Sequence, residues 1–326
     1  MISIRKFNHS DADYEAVLAV YNADWPENPQ TVEIWRHRAE NHNKKYLDQR
    51  FVIEIEAAPR EENRIVASCV VWESSWSYVP GKYGMAFDIH PDFVNQGIEG
   101  QMFNHMVTFL NQRTPAPTIF DTSMREDRTE RVQFWADHGF EVIMRENESA
   151  LDVTDYDFPR FDTAFERVTA NGIEIATLAD LQQRFPDWLQ RYYDLLMPIY
   201  NDIPSPDTIT PETLEEFAKG FTQPKFLADA EFIALDSDQW VGLSALSKDL
   251  VNIKRLWVGI TGVLPTHRRR GIATALKLKT IQYAIDYGAE TIQTGNEENN
   301  PMYDLNVMLG FKPLPAWLEM RKKVNI

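Results

Sequence analysis

Apolar residues recur along the chain with two alternating periods, one suited to strands and one to helices, and the order of the two runs through twice. The first half opens on the strand-like ISIRKFN. DADYEAVLAVYNADW then spaces its apolar residues as a helix does, behind Ser10 as a cap. TVEIWRHRAENH predicts a second helix. RFVIEIEA and RIVASCVVWES predict two strands split by a polar, proline-containing turn. KYGMAFDIHP predicts a third strand, leading into a helix that starts near Gly97 and carries Ile98, Met102, Met106, Phe109 and Leu110 on one face. TIFDTSM reads as a strand, TERVQFWADHG as a short helix and FEVIMRENESALDV as closing strands.

The second half repeats that order. GIEIATL is strand-like and PDWLQRYYDLLMPIYNDIP helical. TPETLEEFAKGF predicts a helix with Thr210 as its cap and Glu212 in its first turn. EFIALD and WVGLSALS predict strands flanking a turn at Ser237 and Asp238. LWVGITGVLP predicts a strand, followed by a helix from Gly271, and then come the strand ETIQTGN, the helix NPMYDLNVMLG and the last strand FKPLPAWLEMRK. The expected class is α/β, each half building one mixed α+β sheet. Residues 155–170 fit neither pattern and read as a linker. Pro159 marks the break, and Tyr156, Phe158, Phe161 and Phe165 hold the segment to the surface. The expected domains are therefore 1–154 and 171–326.

A length of 326 residues supports two cores rather than one. The net charge of −16 disfavours a nucleic-acid partner, since neutralising phosphates needs clustered Lys and Arg. Cys69 is the only cysteine, so neither an internal disulfide nor a cysteine-based zinc site is expected, and no metal site is. Its place in an apolar run marks it as a core residue. The N-terminus lacks a signal-like apolar segment, and no run of about 20 apolar residues could span a bilayer. A cytoplasmic chain without a membrane partner is the expectation.

The chemistry concentrates in TGVLPTHRRRGIATALKLKTIQYAIDYG. A strand ends at Leu264, Pro265 removes a ladder donor, three arginines follow, and a helix begins after Gly271. Its core face carries Ile272, Ala275, Leu278, Ile281 and Ile285. The first turn of a helix offers unpaired N–H groups and about half a positive charge. A glycine there lets a phosphate approach the backbone closely.

This stretch resembles the cofactor motif of the GNAT N-acetyltransferase superfamily, Gln/Arg-x-x-Gly-x-Gly/Ala, present here as Arg268-Arg269-Arg270-Gly271-Ile272-Ala273. TGNEENNPMYDLNVMLGF resembles the family's second motif, including Asn296, Asn299 and the ending Leu309-Gly310-Phe311. The chain thus looks like two tandem GNAT-like acyl-CoA N-acyltransferase domains, similar in organisation to the mycothiol synthase-like members. The resemblance implies acetyl-CoA held by Val263, Leu264, Arg268, Arg269, Arg270, Gly271, Ile272, Ala273, Thr274, Asn299 and Asn306. It also implies pantetheine between the strand ending at Leu264 and ETIQTG, and direct attack by an acceptor amine.

Such an amine, with a pKa near 10, costs roughly 4 kcal/mol to deprotonate at neutral pH. The family often places a glutamate base on the strand LWVGITGV, which has none here. Glu297, Glu298 and Asp202 are the weaker alternatives. The family's thiolate-protonating tyrosine corresponds to Asn306, which could hydrogen-bond the sulfur or the pantetheine; Tyr303 could substitute as the acid, or the CoA thiolate could leave without a dedicated one. Aligning the halves without a gap sets Pro91, Gly97 and Ile98 against Pro265, Gly271 and Ile272. Val94, Asn95 and Gln96 then replace the arginines, and Glu99 replaces Ala273, so the first half has lost its cofactor. The expected acceptor is a small-molecule amine, and the chain a monomer or homodimer. A non-catalytic acyl-CoA-binding protein and a protein acetyltransferase remain open at this point.

Overall fold

The computed structural model describes residues 2–55, 64–158 and 163–324. The proline-containing turn, Pro159 and Phe161 lie outside the described residues. The chain forms two compact units, Met1–Ile143 with Leu318–Ile326, and Met144–Trp317.

The first unit follows the predicted order. Strand β1 (Ile2–Lys6) is followed by helices α1 (Asp11–Asp24) and α2 (Val32–Asn41), and strands β2 (Asp48–Ile55), β3 (Arg64–Trp72) and β4 (Lys82–Ile89) come next. Helix α3 (Ile98–Leu110), strand β5 (Ile119–Arg125), helix α4 (Thr129–Asp137) and the long strand β6 (Glu141–Asp152) complete the first half of the chain. Ser10 caps α1 by accepting from the Asp13 N–H at 3.2 Å. Met85, Ile89, Ile98, Met102 and Met106 are fully buried between sheet and helices, and Cys69 is buried as expected, its thiol pushed up to about 12 by burial.

The second half begins with helix α5 (Thr163–Ala170), where the linker was expected. Then come β7 (Ile173–Thr177), α6 (Leu178–Arg184), α7 (Trp188–Asn201), α8 (Leu214–Ala218), β8 (Glu231–Asp236), β9 (Gln239–Lys248) and β10 (Arg255–Val263). Helix α9 (Ile272–Tyr287), β11 (Thr291–Glu297), α10 (Pro301–Met308), β12 (Lys312–Pro313) and β13 (Trp317–Lys323) follow. Thr213, not Thr210, caps α8: it accepts from the Glu216 N–H while the Glu216 carboxylate accepts from the Thr213 N–H. The reciprocal pair satisfies both orphan donors, which Thr210 has no glutamate at the right spacing to do.

The last strand of each half is exchanged. In the second unit the sheet order is β6-β11-β10-β9-β8-β7, with β12 also paired to β6. Strand β6 runs antiparallel to β11, with Leu151 opposite Ile292 and Glu146 opposite Glu297. In the first unit the order is β1-β2-β3-β4-β5-β13, and Arg321 of β13 makes a two-pronged ion pair with Asp121 of β5 at 2.7 and 2.8 Å. FKPLPAWLEMRK is therefore not one strand: β12 and β13 lie on either side of residues 314–316 and pair in different units. The compact units accordingly depart from the expected boundaries at 154 and 171, because pairing rather than chain order decides where a closing strand belongs.

Candidate functional site

Two local features of the second unit make a site. The first is the start of α9. Pro265–His267 form one tight turn, and Gly271 caps the helix with φ +82°, a left-handed conformation in which an L side chain is strained. Arg269 is also left-handed, at φ +61°. The first turn, Ile272–Ala273–Thr274, holds no carboxylate, so nothing within it competes for the orphan N–H groups. Arg268 reaches back, its Nε donating to the Val263 carbonyl at 2.9 Å and its terminal nitrogen to Asp202 at 2.5 Å. Arg270 lies 3.4 Å from Asp236, which also faces His267. Arg269 has no ion-pair partner among the described residues. Arg167 of α5, whose Cδ lies 3.5 Å from where a Cβ on Gly271 would stand, adds a further cation that the sequence reading assigned to a linker.

The second feature is a wedge. Parallel pairing of β10 with β11 joins Arg255–Trp257 to Thr291–Gln293 and stops there. A register shift between Val258 and Ile260 bends β10 against β9 at the same point. The diverging strands open a cavity of about 170 Å³ lined by Val258–Thr261 of β10, Thr294–Glu297 of β11, Met144 and Glu146 of β6, Ile203 and Pro204 after α7, Asn300, Met302 and Lys277.

Two titratable groups in it were missed by the sequence reading. Glu146 enters because Gly295, beside it on β11, has no side chain: the carboxylate oxygen occupies the space a Cβ there would need, at 2.1 Å. It has no hydrogen-bond partner among the described residues, and burial, followed by the nearby Glu148 charge, raises its pKa above the ordinary glutamate value. Glu148 is itself held by the Gln293 amide at 2.9 Å. Lys277 of α9 is 2% exposed. Its position inside Leu276-Lys277-Leu278, as the one charge among the buried positions of the helix, was the one available signal.

The predicted residues scatter around this wedge. Glu297 lines it but is engaged, accepting from the Asn299 N–H and side-chain amide, both at 2.9 Å. Glu298, Asn299 and Asp202 are exposed. Asn306 is fully buried and donates to the Asn296 side chain at 2.7 Å, while Asn296 lines the cavity. Tyr303 is partly buried one turn earlier and is not among the cavity residues. Val263 is buried with its carbonyl taken by Arg268, and the Leu264 N–H donates to Val241 at 2.8 Å.

Residues 189–311 match the model of the Acetyltransferase (GNAT) family. This region is a GNAT acetyltransferase domain. Across the whole chain, the fold is that of tandem GNAT proteins. A GCN5-related N-acetyltransferase from Sphaerobacter thermophilus aligns over 100% of this chain and 96% of its own, with TM-score 0.71 and 16% identity. A tandem GNAT protein from the clavulanic acid biosynthesis pathway aligns over 100% and 99%, with TM-score 0.74 and 15% identity. A GCN5-related glucosamine N-acetyltransferase region of a fungal multi-domain β-N-acetylglucosaminidase aligns over 99% of this chain and 38% of that one, with TM-score 0.73 and 12% identity. No curated protein sequence matches. The GNAT match of residues 189–311 supports acyl transfer from an acyl-CoA as the chemistry of this region. No described helix is long and apolar enough to cross a membrane, and no described cluster of His, Cys, Asp and Glu could hold a metal.

Proposed function

We propose that the chain is an acetyl-CoA-dependent N-acetyltransferase acting on the amine of a small molecule. The observation that carries this reading is the cavity at the splay of β10 and β11, in the same unit as the arginine-ringed start of α9. The residues fit such a donor: an anion-accepting helix start without a carboxylate, a left-handed Gly271, and Arg269 and Arg167 available as counter-charges. Arg268 would give up Val263 or Asp202 to join them. Acetyl-CoA supplies the activated acyl group when bound.

The chain's own contribution is to deprotonate and position the acceptor. Glu146 is the base: its raised pKa makes it a better proton acceptor than an ordinary glutamate, and it projects into the cavity without a competing partner. Thr261, Thr294 and Asn296 offer hydrogen bonds to the acceptor's polar groups. A cavity of about 170 Å³ suits the end of a small amine better than a protein surface. The glucosamine acceptor named for the fungal relative makes amino sugars the first panel to try.

The test is isothermal titration of acetyl-CoA into the intact chain and into Gly271→Glu, followed by thiol release with amino sugars, polyamines and a lysine peptide. One site per chain, lost in the variant, with turnover on a small amine, is expected. Absence of binding, binding indifferent to the change, or turnover on the peptide alone overturns the reading.

A further inference from the structure

Lys277 stands six residues after Gly271 on the face of α9 that otherwise packs Leu276, Leu278 and Ile281 into the core. Its side chain lines the wedge cavity. Among the described residues its ammonium has no ion pair and no hydrogen-bond acceptor, and Nζ lies over the Phe311 ring, 5.3 Å from its centroid. A buried lysine without a counter-ion is costly to retain where an apolar residue would pack. Here its side chain borders the space between the two splayed strands. Other proton donors for that space are poor. Asn306 is an amide with no acidic proton, its NH₂ already given to Asn296. Tyr303 does not line the cavity.

We propose that Lys277 delivers the proton taken up by the CoA sulfur as the acyl group leaves. This rests on the acyl-CoA reading of the same cavity. The neutral amine nitrogen attacks the thioester carbonyl carbon, so a C–N bond forms and the C–S bond breaks. The C–S electron pair goes to sulfur, which takes a proton from the Lys277 ammonium. The surplus proton on nitrogen passes to the Glu146 carboxylate. Lys277 ends neutral and Glu146 protonated, and exchange with solvent resets both. Burial lowers the Lys277 pKa to about 7, which makes the ammonium a far better acid than an ordinary lysine and leaves it partly protonated at neutral pH. The other titratable groups facing the cavity are Glu146 on β6 and Glu297 on β11; β10, Ile203, Pro204, Asn300 and Met302 contribute none.

The experiment needs no acceptor. Affinities for CoA and for desulfo-CoA are measured by titration calorimetry on the full chain and on Lys277→Met, at several pH values from about 6 to about 9, spanning the lysine and thiol transitions. The intact chain should bind CoA about tenfold more tightly than desulfo-CoA near neutral pH, from a charge-assisted contact to sulfur. The bound thiol should ionise at lower pH than free CoA, and both effects should vanish in Lys277→Met while desulfo-CoA affinity is kept. Equal affinities for the two nucleotides in the intact chain overturn the proposal, and that comparison decides the matter even if the variant does not fold. A preference that persists in a folded Lys277→Met also overturns it. If neither nucleotide binds the intact chain, the acyl-CoA reading itself fails instead.

Discussion

The two units carry the same loop and the same short parallel strand pairing, which in the first unit joins Lys82–Gly84 to Ile119–Asp121, and surround them with opposite chemistry. Asn95 and Arg269 are both left-handed at φ 60° and 61°, and Gly97 and Gly271 cap their helices at φ 77° and 82°. In the first unit the Asn95 N–H donates to the Glu99 carboxylate at 3.1 Å, so the chain supplies its own anion to the cradle. In the second, Ala273 stands in that place and Arg268, Arg269 and Arg270 precede it in the chain. The side chains at matching positions of the following helices differ likewise. Counting from the capping glycines, Phe103 matches Lys277; counting back from Gly139-Phe140 and Gly310-Phe311, Trp135 matches Asn306. Phe87, Phe103 and Trp135 pack together, with centroids 5.2 Å apart for Phe87–Trp135 and 6.1 Å for Phe103–Trp135. Backbone geometry of this kind survives exchange of the chemistry it carries, so a GNAT loop alone says little about which half works.

Exchanging residues between the units breaks or sharpens the contrast. Phe103→Lys should cost the most, about 3–5 kcal/mol by urea unfolding at neutral pH, because an unpaired charge then replaces a packed ring. Ala273→Glu gives the second unit an internal anion like that of the first. Acetyl-CoA affinity should fall roughly 100-fold by calorimetry, through occupied N–H groups and repulsion of phosphate. Lys277 distinguishes the units by titration. Unfolded lysine keeps its proton to about pH 10.4. Folded Lys277 loses it from about 7. Across that window the unfolded chain binds more protons, so stability should rise with pH, and Lys277→Met should flatten this part of the profile. Glu99→Ala should have the smallest effect, below about 1 kcal/mol. It should leave acetyl-CoA stoichiometry at one, since Val94, Asn95 and Gln96 offer no cation.

What the sequence disclosed follows the range of the interactions. The helix start at Gly271, the strand before it and the alternating elements rest on neighbouring residues, and periodicity exposes them. Thr213 was displaced to Thr210 because two threonines compete and only the reciprocal Glu216 bond decides. Arg167 was hidden in a segment without clear periodicity. Glu146 could not be found from the second half, since it reaches the wedge through pairing of β6 with β11 across about 150 residues of chain. Lys277 was overlooked because a helix read for its apolar face passes over the one charge within that face.

The exchanged closing strands also bear on how the protein is made. The first unit's sheet includes Trp317–Lys323, which follows the strands and helices of the second unit in chain order. Its β5 edge must therefore wait, uncovered, while the whole second half is synthesised. The second unit has its borrowed strand in hand from the outset. A chain cut at the expected linker would leave both fragments one strand short, so the tandem has become a single inheritance rather than two separable genes' worth of fold.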